Sequence, residues 1–290
     1  MPELVAAVNL SEGRDARTLE AIGRAAGGRL LDVHADPEHH RAVMTVLVDD
    51  GAAALFALVA EAFSRLRLDG HDGVHPRLGV VDVVPFTPLL PAAPLDALAM
   101  APLDEAVTAR DGFARRLAAH FSVPCFLYGP LGRGTERSLP EIRRRAFREL
   151  APDLGPDAPH PRLGAVCVGA RRTLVAYNVQ LATGDLALGQ RLAAGLRSAD
   201  LRVLAFRLER GVQISFNLVA PWRSGPARAY DAVAAAARQA GTSVVGAELV
   251  GLVPRAVLDQ VPPDRRDALG ISLDQTIESR LAGAAQHPAR

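Results

Sequence analysis

LVAYNVQL, residues 174–181, repeats in loose form the LVAAVNL of residues 4–10, and this echo decides how the rest of the chain is divided. Both stretches are short, apolar and bounded by polar residues, as strands are. The same succession follows each of them. After the first come a helix at 15–26 entered at Asp15 and strands at 29–35 and 41–49, separated by the polar turn ADPEHH. A helix at 51–66 capped by Asp50 and a strand at 78–86 complete it. Leu55, Leu58, Val59, Ala62 and Leu66 recur at helical spacing in the second of these helices. The later copy begins with strands, or a hairpin, at 165–170 and 173–180 turning at GARR. A helix at 186–197, strands at 201–208 and 211–219, a helix at 226–240 and a strand at 243–250 follow. That last helix has Ser224 as its expected cap, Pro226 in its first turn and Gly241 past its end. Two β-α-β-β-α-β units predict an α+β protein of two tandem ferredoxin-like halves, with a ligand cleft between them. The expected halves are 1–164, carrying inserted helices within 101–150 and a short strand at 123–129, and 165–290. The Pro/Gly-rich stretch 151–164 reads as an irregular loop. The pentapeptide HPRLG occurs at 75–79 and 160–164, but at non-equivalent places in the halves, so it does not argue for duplication.

Composition removes several function classes. A length of 290 residues with 49% apolar content supports one or two cores, and a formal charge of +1 favours neither nucleic acid nor an anionic membrane as partner. No apolar run reaches the roughly 20 residues that cross a bilayer. MPELVAAVNLSEGRD lacks the basic flank and apolar core of a signal peptide, and Cys125 and Cys167 form no paired motif; both point to a cytoplasmic chain. All 33 basic residues are arginine. Schiff-base lysine chemistry and the lysines of phosphate-binding loops are therefore excluded.

The chemistry concentrates in HDGVHPRLGVVDVVPF, residues 71–86. His71 and His75 have the spacing of two metal ligands on a helix, but Gly70, Asp72-Gly73 and Pro76 oppose helix there. The group His34, His39 and His40 has no tetrahedral ligand spacing either, and no metal is expected. Asp82 interrupts an apolar strand on the face shared by Val80 and Val84, so it needs a partner; Arg77 and the two histidines are the nearest in sequence. Residue chemistry alone leaves two readings open. One is an acid–base histidine beside a carboxylate, and the other is a purely structural charged loop.

The motif resembles that of the glutamate formimidoyltransferase (formiminotransferase) family, H-x-G-x-H-P-R-x-G-A-x-D-V-x-P-F, departing from it only at Val80. Further segments resemble the family in order: NLSEG (9–13), LLDV (30–33), Arg41, VPCFLYG (123–129), LPEIR (139–143), DLGP (153–156), GARR (169–172), AYNV (176–179), VQISFNL (212–218) and VVGAELVGLVP (244–254). The likeness spans about residues 2–255 and leaves 256–290 unread. It implies two ferredoxin-like halves with a folate site between them, a homodimer, and transfer of a formimino group from N-formimino-L-glutamate to N5 of tetrahydrofolate, a step of histidine degradation and one-carbon metabolism. It implies a transferase without the cyclodeaminase domain fused in animals. The residue matching the family's catalytic histidine is His75, and acid–base relay by one imidazole needs no metal and no covalent intermediate.

The resemblance also places a folate loop at 155–164, through Gly155, Pro156, Pro161 and Gly164. His71 and Asp82 are expected to orient the His75 ring, and Arg77 and Arg41 to serve structure or a substrate carboxylate. Asn9, Asn178 and Asn217, in strands where asparagine is disfavoured, and Glu248, in an apolar run, are candidate contacts to substrate or folate. The sequence departs from the family at His34, where animal enzymes carry aspartate, at His40 and at Arg145. Two rival functions follow. One is the same chemistry with formiminoglycine or N-formylglutamate as donor; the other is a folate-binding paralogue without turnover.

Overall fold

A computed structural model describes residues 3–286. The chain runs β1 (Leu4–Leu10), α1 (Ala16–Arg24), β2 (Leu30–Asp36), β3 (Arg41–Val48), α2 (Ala53–Arg65), β4 (Val81–Pro88), α3 (Ala97–Met100), α4 (Asp104–Phe121), β5 (Cys125–Gly132), β6 (Thr135–Arg137) and α5 (Leu139–Arg145). It continues through β7 (Val166–Ala170), β8 (Val175–Leu181), α6 (Leu186–Leu196), β9 (Leu201–Leu208), β10 (Gly211–Leu218), α7 (Pro226–Gln239), β11 (Val244–Val250), α8 (Arg255–Leu258) and α9 (Ile277–Gln286). These elements form two compact units. Among the described residues, the first holds 3–89 and Pro102–Arg172, the second Leu90–Ala101 and Thr173–Gln286.

The first unit is a seven-stranded mixed sheet in the order β2-β3-β1-β4-β7-β5-β6. Its first four strands are antiparallel neighbours, while β7 lies parallel to both β4 and β5. Leu19 and Ile22 of α1, Leu55, Leu58 and Phe63 of α2, and Phe113 and Leu117 of α4 join Val8, Met44, Val84 and Phe86 in one core. A smaller cluster, Val83, Phe126, Tyr128, Ala165 and Cys167, packs with Ile142 of α5. Asp15 caps α1 as expected, accepting the Arg17 and Thr18 amides at 3.0 and 3.1 Å. Helix α2 differs: Asp49, not Asp50, accepts the Ala54 amide, because a tight turn at Asp50–Ala52 precedes the helix.

The second unit is a four-stranded antiparallel sheet, β11-β8-β10-β9. Tyr177, Val179, Ile214 and Phe216 share a core with Ala193 of α6 and Val233 of α7. Numbered within each unit, β1–β4 and β8–β11 both run β-α-β-β-α-β with spatial order 4-1-3-2. Other expectations fail as well. Residues 165–180 are not a hairpin: β7 is a parallel strand of the first unit's sheet, and β8 opens the second unit. The physical reason is that Val166–Ala170 is buried along its whole length, as a central parallel strand must be. The division of the chain accordingly falls after Arg172 rather than at 164/165. Helix α7 is entered at Gly225 without a side-chain cap from Ser224, and α5 ends at Arg145 where a helix to 150 was expected.

The stretch after Val250, unread in the sequence, completes the second core. Val257, Leu258, Val261, Leu269 and Ile271 are all buried there. The Tyr177 hydroxyl donates to the Leu269 carbonyl at 2.9 Å, tying the tail to the centre of β8.

Candidate functional site

The loop between α2 and β4 carries His71, His75 and Arg77, and strand pairing determines what surrounds it. Between β1 and β4 the register slips: Asn9 faces Val83 but Leu10 faces Val81, leaving Asp82 as an extra residue in a β-bulge. A bulge re-aims a side chain, and here it overrides the alternation that had put Asp82 with Val80 and Val84. Asp82 turns instead to the α5 side of the sheet, where Val83 also packs. It is 3% exposed, forms an ion pair with both Nη atoms of Arg143, and accepts the Leu78 amide at 2.7 Å. The expected partners Arg77, His71 and His75 are thus not the ones its carboxylate bonds. Arg143, in α5, is the functional residue that sequence reasoning missed. Burial opposes its charge, but the charge and hydrogen bonds of Asp82 overcome that and hold it firmly protonated.

His75 is held at both ring nitrogens. Nδ1 lies 2.8 Å from the Pro76 carbonyl and Nε2 lies 2.5 Å from Arg41 Nη1. A carbonyl only accepts and a guanidinium only donates, so the ring is neutral, with its proton on Nδ1 and its lone pair on Nε2. Burial first, then the charges of Arg41 and Arg143, hold its pKa well below the ordinary 6.5. Arg41 opens β3, and among the described residues no carboxylate lies within ion-pairing distance of it. Burial above all brings its own pKa down to about 10; the charges of Asp82 and Asp36 oppose that, and those of Arg143 and Arg77 add to it. The His39 ring meets that of His75 edge-on, at 6.1 Å between centroids.

Arg77 braces the loop rather than facing outward. It donates to the His75 carbonyl from Nε (3.1 Å) and Nη2 (2.8 Å), to the His39 carbonyl at 3.3 Å, and contacts the His71 ring. His71 stacks on His40 at 4.1 Å. Burial and then the Arg77 charge lower its pKa. His71 is bonded to Arg77 and to the Gly73 amide, and so steadies the loop. Ligand atoms of His40, His71 and Asp72 gather within 4.8 Å of one another. Arg14 pairs with Asp72 at 2.9 Å and Arg77 meets His71, so guanidinium groups already stand where a cation would. His40 bridges Glu12 (3.2 Å) and Asp72 (3.3 Å). Of the other departures, Arg145 pairs with Glu141 and Glu149, and His34 lies on β2 opposite Val43. Cys125 and Cys167 are buried free thiols; burial pushes Cys125 up to about 12 and Cys167 higher, which removes both as nucleophiles.

The two HPRLG copies meet each other. Gly79 and Gly164 form a backbone bridge, the Ala165 amide donates to the Leu78 carbonyl at 2.9 Å and the Val80 amide to the Leu163 carbonyl at 3.0 Å. The loop 155–164 is therefore anchored at the base of the histidine loop. Gly155 and Gly164 both have positive φ, and a Cβ would lie 2.6 Å from the Val123 carbonyl oxygen at the first and 2.1 Å from the Leu78 carbonyl oxygen at the second. The protein's own backbone requires both glycines. Gly155, Pro156 and Pro161 are exposed, while Gly164 is buried.

The remaining candidates divide between the units. Asn9 on β1 bonds the Ala7 carbonyl at 3.1 Å. In the second unit Asn178 and Glu248 face each other across β8 and β11, joined at 2.9 Å, and Gln213 reaches Glu248 at 3.3 Å. Asn217 is exposed on β10.

Residues 4–171 match the family model described as the formiminotransferase domain, N-terminal subdomain. The chain is similar to proteins named glutamate formimidoyltransferase from Thermoplasma acidophilum, 32% identical over 96% of each chain, and from Streptococcus pyogenes serotype M1, 30% identical over 87% of this chain and 89% of the relative. It is also similar to the formimidoyltransferase-cyclodeaminase of Sus scrofa, 32% identical over 89% of this chain but 52% of that protein.

Proposed function

This chain belongs to the formiminotransferase family, and from that premise we propose that it transfers the formimino group of N-formimino-L-glutamate to N5 of tetrahydrofolate, with His75 as the proton relay. The two β-α-β-β-α-β sheets are then a duplicated ferredoxin-like pair, and glutamate in the relatives' names supports the donor.

One observation carries the reading. The Pro76 carbonyl anchors Nδ1–H of His75, so Nε2 is the single atom of the ring that exchanges a proton. As a bond forms between N5 and the formimino carbon, Nε2 takes the N5 proton. As the bond from that carbon to the glutamate nitrogen breaks, its electron pair stays on that nitrogen and the imidazolium returns the proton there. The depressed pKa suits both halves: the ring starts neutral near pH 7 and, once protonated, is a strong acid. Arg77 and Asp82 hold the loop, through the His75 carbonyl and the Leu78 amide. The loop 155–164 supports folate beside it.

His75→Ala should fold normally and lose roughly 10²–10⁴ in kcat, measured as formimino transfer to tetrahydrofolate by absorbance. Full activity in that variant overturns the assignment. Formiminoglycine or N-formylglutamate outperforming formiminoglutamate in the same assay overturns the donor.

A further inference from the structure

We propose that Arg41 is a substrate-operated cap on His75: the donor's carboxylate draws the guanidinium off Nε2, and the ring takes a proton there only after that contact is lost. The inference rests on the proposed transfer reaction and adds a specificity device to it.

Three observations meet at one atom. The lone pair of Nε2 is the one a base needs, and Arg41 Nη1 sits on it at 2.5 Å. A ring in that state cannot take a proton without losing the contact. Arg41 also bonds no carboxylate among the described residues, although it is half-buried; Asp82 and Asp36 offset the charges of Arg143 and Arg77 only from beyond ion-pairing distance. Asp82, the nearby buried acid, is committed to Arg143 and the Leu78 amide. A half-buried guanidinium has more to gain from an incoming carboxylate than from a neutral imidazole, because the carboxylate adds an opposite charge and a second acceptor oxygen to a bond whose donor is ionised in either case. Once paired, its charge no longer opposes protonation of His75, so the base becomes stronger at the moment the donor is in place. Carboxylate binding is thereby converted into rate as well as affinity.

Two probes separate the parts of the donor. Formamidine carries the transferable group without a carboxylate, and glutarate carries the carboxylates without that group. Ring NMR of the wild-type protein, with His75 identified by its absence from His75→Gln, should show the His75 midpoint rising by about one unit or more on adding glutarate. Transfer from formamidine should be slow alone and accelerate roughly tenfold with glutarate. In Arg41→Gln the formamidine reaction should be faster than in wild type and indifferent to glutarate, while KM for formiminoglutamate rises. A plain carboxylate clamp gives the KM effect alone, with no glutarate response in either the midpoint or the formamidine rate, and that result overturns the cap. Wild-type protein inert toward every donor would instead overturn the transfer reaction, and the NMR arm would still decide for or against the cap.

Discussion

Within the site, the protonation of His75 is the property most open to measurement. Its folded pKa lies well below 6.5, so between that folded value and 6.5 the unfolded chain binds a proton that the folded protein refuses. The His75 contribution to stability is therefore undiminished above pH 6.5 and is lost as pH falls through that window, at no more than about 1.4 kcal/mol per pH unit. Urea midpoints from pH 7 to 5 should fall more steeply in wild type than in His75→Gln. For the same reason the acid limb of kcat/KM should lie below pH 6.5. His75 could be singled out in the sequence because a short contiguous motif carries it. Arg143 could not, since it lies 61 residues from Asp82 and nothing local links them. The need was visible, a charge in an apolar strand, but a sequence offers only neighbours as partners, and Arg77 proved to be a brace for carbonyl groups.

Elements were legible where one hydrophobic period ran undisturbed: α1 and its Asp15 cap, both strand pairs β2–β3 and β9–β10, and the repeated order of the two units. They were misread where pairing, not pattern, decides. The bulge at Asp82 leaves no local trace, and the short apolar run of β7 fits a hairpin as well as a central parallel strand until its neighbours are known. The crossing of the two HPRLG copies was likewise unreadable, although both copies were visible. Gly164→Ala tests that crossing. It forces a side chain into a backbone at φ +72° with the Leu78 carbonyl 2.1 Å from the new Cβ, and should cost more than about 1 kcal/mol by denaturant unfolding. Transfer activity should fall with it, because the histidine loop is moored there.

Across the whole molecule, the segment after Val250 carries weight that its sequence did not advertise. Val257, Leu258, Val261, Leu269 and Ile271 are 0–3% exposed. At roughly 1.5–3 kcal/mol for each buried aliphatic side chain, together they match the stability of an average domain. Removing residues 255–286 should leave a protein that binds a hydrophobic dye and lacks a cooperative thermal transition in its second unit. The first unit draws on a separate core and should retain its own transition. Inside that first unit, the Gly79–Gly164 bridge buttons two surface loops to one another with paired amides. The two flaps share one fastening, so order imposed on residues 155–164 should also damp motion of the loop that carries the ring at position 75.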